Sequence, residues 1–518
     1  MTNPSARSLT PAQEKAVLIA TALASGMGFA DMLAVNTALP VIQSELHLSA
    51  ADALWIAEIY LLFVASLMMM GGALGDRFGR RRILHYGILA FAAASLFCAA
   101  SGSSTLLIFG RAAQGLAAAL ILPSSLALLN ACFPPERRGR AIGSWTAISS
   151  MMIPLGPLAG GAAVDFLSWH WIFLINLPLC AVALGFLRAV PRPPYAPQTK
   201  APLDIAGMIG ITGGLGALVF GLVEGTRLGF SDHLVVGALI ASAILLPLTV
   251  LIEAKSATAM VPVWMFRQRT FLLVNLQTFL FFAGFQGTMF LLPFFHIQVF
   301  GFTALEAGAA GLPIPIAIIL LSRPVGRLMD LRGPGPLLAT APFVVGAGLL
   351  LLSQVPAQGD YLHHILPAVV LIAIGLGLFI APVTTVALNA AGDARSGLAS
   401  AVNNTVARVA GLVSVAVMGV ILTTGYGRHL PGELGPVGLT RAQLSTIAEQ
   451  VQQLATLQPP PALTGAQLQL FHGAVAEAFT RGFASAVTTA AGLMLLAGVI
   501  GFLGLRKVAS VPKIDNTD

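Results

Sequence analysis

Gly72-Ala73-Leu74-Gly75-Asp76-Arg77-Phe78-Gly79 decides the architecture, because its pattern returns as Gly326-Arg327-Leu328-Met329-Asp330-Leu331-Arg332-Gly333 with every defining spacing intact. A G-x-L-x-D-x-x-G element met twice in a hydrophobic chain implies two halves built on one plan. Each half carries this turn between helices at the same membrane face. The first copy continues through Arg80, Arg81 and Arg82. Its glycines suit a turn where backbones approach closely, and its acid can meet an arginine or a helix N-terminus. The arginines alone would only orient the flanking helices. Asp76 and the glycines add nothing to orientation, so the expected role is a cytoplasmic gate. Its residues are Gly72, Asp76, Arg77, Gly79, Arg81 and Arg82, with Gly326, Asp330 and Gly333 in the second copy.

The surrounding composition fixes the class. Hydrophobic residues make up 56% of the 518 and charged ones only 9%, where a soluble domain carries about a quarter charged. The apolar runs are about 20 residues long without strand-like alternation, so helices rather than a barrel cross the bilayer. The first apolar run lacks a small-residue cleavage site and reads as a retained helix. Spans are expected at 17–41, 53–74, 84–100, 105–129, 141–165, 171–188, 204–225, 233–253, 270–296, 304–322, 335–353, 364–389, 399–423 and 483–505. Of the 28 basic residues, Arg227, Arg428, Arg441 and Arg481 fall on one side, Arg111 and Arg408 inside helices, and the remaining 22 on the side of the N-terminus. By the positive-inside rule both termini are cytoplasmic. The net charge of +7 therefore reflects topology, and no basic stripe interleaved with aromatics suggests nucleic-acid binding. Cys98, Cys132 and Cys180 lack metal-ligand spacing, and only His363 and His364 are adjacent histidines. No metal or cofactor is expected.

The repeat lies between helices 2 and 3 and again between helices 10 and 11, an offset of eight. Parallel six-helix halves would give six, so a pair has been inserted. The expected organisation is a six-helix bundle at 1–190, a linker with two inserted helices at 191–269, a second bundle at 270–505 and a tail at 506–518. A long outer loop, 425–480, is expected to carry short amphipathic helices. It contains Pro459-Pro460-Pro461 and the Gln-rich stretch Glu449 to Gln453.

Three charges are expected in the outer half of the first bundle. Asp31 lies roughly 15 Å from the outer end of helix 1, Glu58 roughly 8 Å into helix 2 and Arg111 roughly 9 Å into helix 4. Acids in a membrane cost about 2.5–3.5 kcal/mol each on insertion scales and default to function. Desolvation favours the neutral acid and a nearby guanidinium favours the charged one, so rearranging such a pair can load and release protons. Asp31, Glu58 and Arg111 are thus the expected proton-coupling set, against a static ion pair as the alternative. Ten of the 29 phenylalanines fall between Phe271 and Phe302. On helical spacing Asn275, Phe279, Phe282, Gln286 and Phe290 share one face, suited to holding flat apolar cations. Asn36, Gln114, Asn404 and Arg408 complete the expected substrate cavity. Arg408 has no acid at its depth in the second half. Gly156-Pro157-x-x-Gly160-Gly161 in helix 5 permits close packing and a bend.

Further segments narrow the reading: Asp31-x4-Asn36-x-Ala38-Leu39-Pro40, Trp55-x4-Tyr60-Leu61-Leu62, Arg111-x2-Gln114-Gly115 and Trp169-His170-Trp171-x3-Ile175-Asn176-x-Pro178. In this order, together with the repeated turn, they resemble the drug:proton antiporter family with fourteen spans in the major facilitator superfamily. The resemblance covers essentially the whole chain. It implies an all-α polytopic fold of two six-helix bundles plus two inserted central helices. It also implies proton or cation coupling at Asp31 and Arg111, and an antiporter motif at Gly156, Pro157, Gly160 and Gly161. The helix 2 acid occurs in the branch exporting quaternary ammonium and other lipophilic cations. Two departures stand out: Met152 where an earlier glycine is usual, and His170 where arginine is common.

The expected activity is proton-coupled export of lipophilic, cationic drugs or toxic compounds across the bacterial cytoplasmic membrane by alternating access. The alternatives are an endogenous metabolite, lipid or antibiotic as cargo, or an uncoupled facilitator. The expected partners are a small-molecule substrate, protons and membrane lipid, with no nucleic acid and a monomeric state. The need for a periplasmic adaptor is left open. No phosphate-binding loop, metal cluster or catalytic triad is readable, so an enzyme is not expected.

Overall fold

A computed structural model of the chain describes residues 10–133, 135–190, 204–256, 263–390, 396–440, 443, 447, 457, 459–460 and 463–508. Fourteen helical spans follow one another: α1 (Pro11–Glu45), α2 (Ala50–Phe78), α3 (Arg80–Ala99), α4 (Ser104–Cys132), α5 (Pro135–Phe166), α6 (Trp171–Ala189) and α7 (Ile205–Leu228). They continue with α8 (His233–Lys255), α9 (Arg269–Phe300), α10 (Ala304–Arg332), α11 (Gly335–Leu352), α12 (Tyr361–Ala390), α13 (Ser396–Glu433) and α14 (Gly465–Leu505). Thirteen are long and apolar enough to cross a membrane by themselves, and Met151–Phe166 supplies the apolar part of α5. Capping boxes start α1, α2, α10 and α14: Thr10 with Gln13, Ser49 with Asp52, Thr303 with Glu306, and Thr464 with Gln467. Each satisfies end groups that a helix cannot pair internally.

The first bundle packs α1 on α5 and α2 on α4, with α3 and α6 outside them; the second packs α9 between α13 and α14, with α10, α11 and α12 around them. The inserted α7 and α8 pair with each other, and α7 leans on α2 and α13. Trp55 donates to Glu224 at 3.0 Å, and Arg227 pairs with the same acid at 2.6 Å, which ties α7 to α2 near its outer end.

The loop expected at 425–480 is shorter than composition suggests. α13 runs on to Glu433 and α14 begins at Gly465, because polar residues there cap and extend the helices instead of leaving them. Tyr426, Phe471 and Phe479, all inside the expected loop, are buried. Buried aromatics on both extensions explain the persistence of helix beyond the bilayer. The Pro-rich linker 191–202, the stretch Glu449 to Gln453 and residues 509–518 of the tail lie outside the described residues.

The two copies of the opening turn end their helices in one way. Gly79 has φ of 100° and bonds its N–H to the Gly75 carbonyl at 2.9 Å; Gly333 has φ of 76° and bonds to the Met329 carbonyl at 2.9 Å. A side chain at either position would be strained, which is why the last glycine of the pattern recurs.

Candidate functional site

Asp31, on the α1 face turned to the bundle interior, is buried, and so is Arg111 on α4. Arg111 Nη1 donates to Asp31 Oδ2 at 2.5 Å, while Asp31 Oδ1 accepts from Asn176 Nδ2 at 2.6 Å and Gln114 Nε2 at 3.2 Å. Asn176 reaches the acid because α6 breaks at Ile175, between Trp171–Leu174 and Asn176–Ala189. Pro178 has no N–H for the carbonyl four residues back, so the break is built into the sequence. Gln114 is held in turn: its amide donates to Ser95 Oγ at 2.8 Å and its carbonyl accepts from Arg111 Nη1 at 2.8 Å. The guanidinium also donates from Nε to the Ile56 carbonyl at 3.2 Å, and its carbon lies 4.4 Å over the Tyr60 ring. Tyr60 completes the circuit by donating to the Gly28 carbonyl at 3.0 Å. Three donors from two helices, α4 and α6, converge on the one carboxylate, which offsets part of the cost of burying the pair.

Glu58 does not join this layer. It is fully buried, and neither carboxyl oxygen has a hydrogen-bond partner among the described residues. Leu54, one turn earlier on α2, packs over Gly419 of α13, where a Cβ would lie 2.8 Å from its Cδ2. Glu58 therefore lies on the face of α2 that meets the other bundle. Depth along the helix was legible, but azimuth separated it from Arg111.

Gln114, expected in the cavity, belongs to the Asp31 network. The α9 stripe is also divided. Asn275 donates to the Phe271 carbonyl at 2.8 Å and accepts from Asn403 at 3.2 Å, and Phe290 is buried with its ring 5.6 Å from that of Phe294. Asn275 serves packing inside the second bundle, whereas Phe290 lines the seam between bundles with Ala53 and Leu54 of α2. Phe279, Phe282 and Gln286 are partly exposed, and Gln286 donates to the Ala407 carbonyl at 3.1 Å. Asn36 is partly exposed on α1 and Asn404 exposed on α13. Arg408 lies 5.3 Å over the ring of Phe29, across the gap between bundles.

The glycine motif of α5 has two faces. A Cβ on Gly156 would lie 2.5 Å from the Ala30 carbonyl oxygen, and one on Gly160 2.8 Å from Ala34 Cα, so this face seats α5 on α1. A Cβ on Gly161 would lie 2.5 Å from the Ala304 oxygen, and one on Gly308 2.5 Å from the Pro157 oxygen, so the other face seats α5 on α10. Asp165, with no sequence signal beyond its place at a helix end, accepts from the N–H groups of Ala304 at 3.1 Å and Leu305 at 2.8 Å. The bundles are thus joined at their outer ends. Met152, the departure from the usual glycine, packs over Gly26 of α1, where a Cβ would lie 2.5 Å from its Cγ. The small residue has moved to the facing helix. His170, the other departure, stacks on Trp169 with ring centroids 3.7 Å apart.

Around the cytoplasmic turn, side chains of α2 and α3 bond to one another and to α4 and α6. Asp76 pairs with Arg80 at 2.8 Å, Arg80 donates to the Ala127 carbonyl at 3.0 Å, and Arg81 donates to the Leu187 carbonyl at 3.1 Å. Arg77 lies 5.4 Å over the Phe78 ring, and Arg82 is exposed. Gly71 and Gly75, rather than Gly72, make the close approach to α4. In the second copy Asp330 is exposed, and nothing lies within 4 Å of a Cβ on Gly326.

The sequence profile of the Major Facilitator Superfamily matches residues 20–415. The chain belongs to the major facilitator superfamily. It is 29% identical to the tetracenomycin C resistance and export protein of Streptomyces glaucescens over 486 residues, covering 93% of this chain and 90% of that protein. It is 30% identical to the drug efflux pump JefA of Mycobacterium tuberculosis (strain ATCC 25618 / H37Rv), covering 95% and 98%. The methylenomycin A resistance protein of Bacillus subtilis (strain 168) is 33% identical, covering 78% and 87%. Among solved structures, a bacterial homologue of the human lysosomal transporter Spinster superposes with a TM-score of 0.67 at 16% identity, covering 97% of this chain and all of that one. The likeness in structure carries the fold alone. The protein is an integral membrane protein of the major facilitator fold, which in bacteria places it in the cytoplasmic membrane, and its relatives are drug and antibiotic exporters.

Proposed function

We propose that this protein is a proton-coupled antiporter that exports lipophilic drugs or antibiotics, cations among them, by alternating access of its two bundles. The observation that carries the reading is the Asp31 carboxylate, buried in the first bundle and held by Arg111, Gln114 and Asn176. A carboxylate so placed exchanges a proton only if its donors move, and the donors sit on α4 and α6 while the acid sits on α1. Proton binding is thereby linked to rearrangement of α1, α4 and α6 within the first bundle. Relatives named for resistance and export support the cargo class.

The outer junction of α5 with α10 closes the path to the outside in the present state. Glu58 lies in the seam between α2 and α13, and closing that seam over a charged carboxylate without a partner would cost several kcal/mol. A proton from the outside, or a cationic cargo, satisfies that acid. The Asp76 turn is the cytoplasmic counterpart. The protein works as a monomer on protons, cargo and lipid, without a cofactor and without chemical conversion of the cargo.

Efflux of a cationic dye from proteoliposomes under an imposed pH gradient tests this. Wild-type protein is expected to move dye against its gradient, and Asp31→Asn is expected to move it only downhill. Uphill movement by the variant would refute the coupling role of Asp31.

A further inference from the structure

Arg408 is the cation that the coupling network leaves unused. It lies twelve residues into Ser396–Glu433, about 18 Å along α13 and so near the middle of the bilayer. It is partly exposed, and no carboxylate among the described residues pairs with it. What it faces is the ring of Phe29 from the other bundle, at 5.3 Å. A guanidinium at mid-membrane costs about 2.5–3.5 kcal/mol on insertion scales, and one cation–π contact returns about 0.5–2 kcal/mol. The arginine is therefore kept at a net cost that packing does not explain.

Its surroundings have the make-up of a ligand site. Gln286 of α9 bonds to the Ala407 carbonyl at 3.1 Å and pins that helix to the turn carrying Arg408. Phe282, one turn away on α9, is partly exposed, and Asn404, one turn before Arg408, is exposed. One positive group and the ring of Phe29 meet here, with the amide of Asn404 within a turn of Arg408 along the chain and that of Gln286 bonded beside it at Ala407.

We propose that this junction seats the acidic group of an aromatic cargo, a carboxylate or ionised phenol pairing with Arg408 while the cargo ring lies against Phe29. This rests on the export reading above and names a substrate class for it: acidic and amphoteric aromatic compounds, beside the cations. A guanidinium offers two parallel donors to a carboxylate, which gives geometric selectivity as well as affinity. The seat also adjoins the coupling acid. Phe29 is two residues from Asp31, and the Gly28 carbonyl accepts from Tyr60, whose ring underlies Arg111. A cargo that parts Phe29 from Arg408 displaces the α1 turn that carries Asp31.

The test uses rhodamine 110, which carries a free carboxylate, and rhodamine 123, its methyl ester. Initial rates of pH-gradient-driven uptake into inverted vesicles are measured for both dyes, with binding to the purified full-length protein followed by fluorescence anisotropy. Arg408→Gln is expected to lower the ratio of acid to ester by about tenfold or more, the worth of one charge-assisted hydrogen bond. Arg408→Lys is expected to fall between that variant and wild type. A common factor on both dyes in Arg408→Gln would overturn the proposal, as would wild-type protein that neither transports nor binds the acid. If Arg408→Gln does not reach the membrane, Phe29→Leu serves: binding of both dyes should drop about two- to tenfold with the loss of one ring contact, and unchanged binding would overturn the seat. Loss of pH-gradient dependence for both dyes would instead strike the antiport reading, so the two failures are told apart.

Discussion

Adding one methyl group at Gly161 should prise the outer side open. Its Cβ would lie 2.5 Å from the Ala304 oxygen and 2.5 Å from the Leu305 Cα, both backbone atoms of α10 in the other bundle. Backbone cannot step aside as a flexible side chain can, and forced overpacking costs about 1–3 kcal/mol. Because the clash exists only where the bundles meet, that cost falls on the outer-closed state alone. The inward-to-outward ratio should then shift about five- to 150-fold. Spin labels at Leu167 and Leu362, exposed at the outer ends of the two bundles, would report the shift as a longer distance population by double electron–electron resonance. Gly160→Ala provides the contrast, since its clash is with Ala34 inside the same bundle; it should destabilise the protein without moving the distance. Gly326→Ala, with nothing within 4 Å, should do neither. A folded Gly161→Ala protein with the wild-type distance distribution would refute the reasoning.

Asp165→Ala removes two hydrogen bonds from the start of α10, and the loss of such a cap, about 0.5–2 kcal/mol, should favour the outward-open population in the same measurement. Asn176→Ala withdraws the 2.6 Å donor from Asp31; a loss of about 1–3 kcal/mol should lower the melting midpoint in detergent and cut gradient-driven efflux together. Gly26→Ala should be destabilising through its contact with Met152, and Met152→Ala in the same chain should rescue it, giving a coupling energy of about 0.5–3 kcal/mol in a double-mutant cycle. Gly79→Ala should cost about 1 kcal/mol or more at its φ of 100°.

Hydrophobic runs, charge asymmetry and the repeated turn made the fourteen spans legible, since each follows from composition at known period. The pairing of Asp31 with Arg111 was legible too, because depth along a helix is a matter of counting residues. Azimuth was less readable. Glu58 shares their depth yet faces α13, and Asn275 shares a stripe with Phe282 yet turns into the second bundle. A single helix pattern names a face, and only packing decides what that face meets. Asn176 stood within a recognisable segment, but its role depended on the break at Ile175. Ser95 and Asp165 carried no pattern at all, since a small hydroxyl in a helix and an acid at a helix end are ordinary features. The outer loop was overestimated because polarity was read as loop where capped helices continue around buried aromatics.

The most direct test of the central claim is substrate accumulation by purified protein in liposomes with an imposed pH gradient. Wild-type protein should concentrate a lipophilic dye against its gradient and lose that ability when the pH gradient is collapsed, while Asp31→Asn should equilibrate dye and go no further. Accumulation by Asp31→Asn at the wild-type level, or wild-type accumulation that survives collapse of the pH gradient, would contradict a proton carried at Asp31.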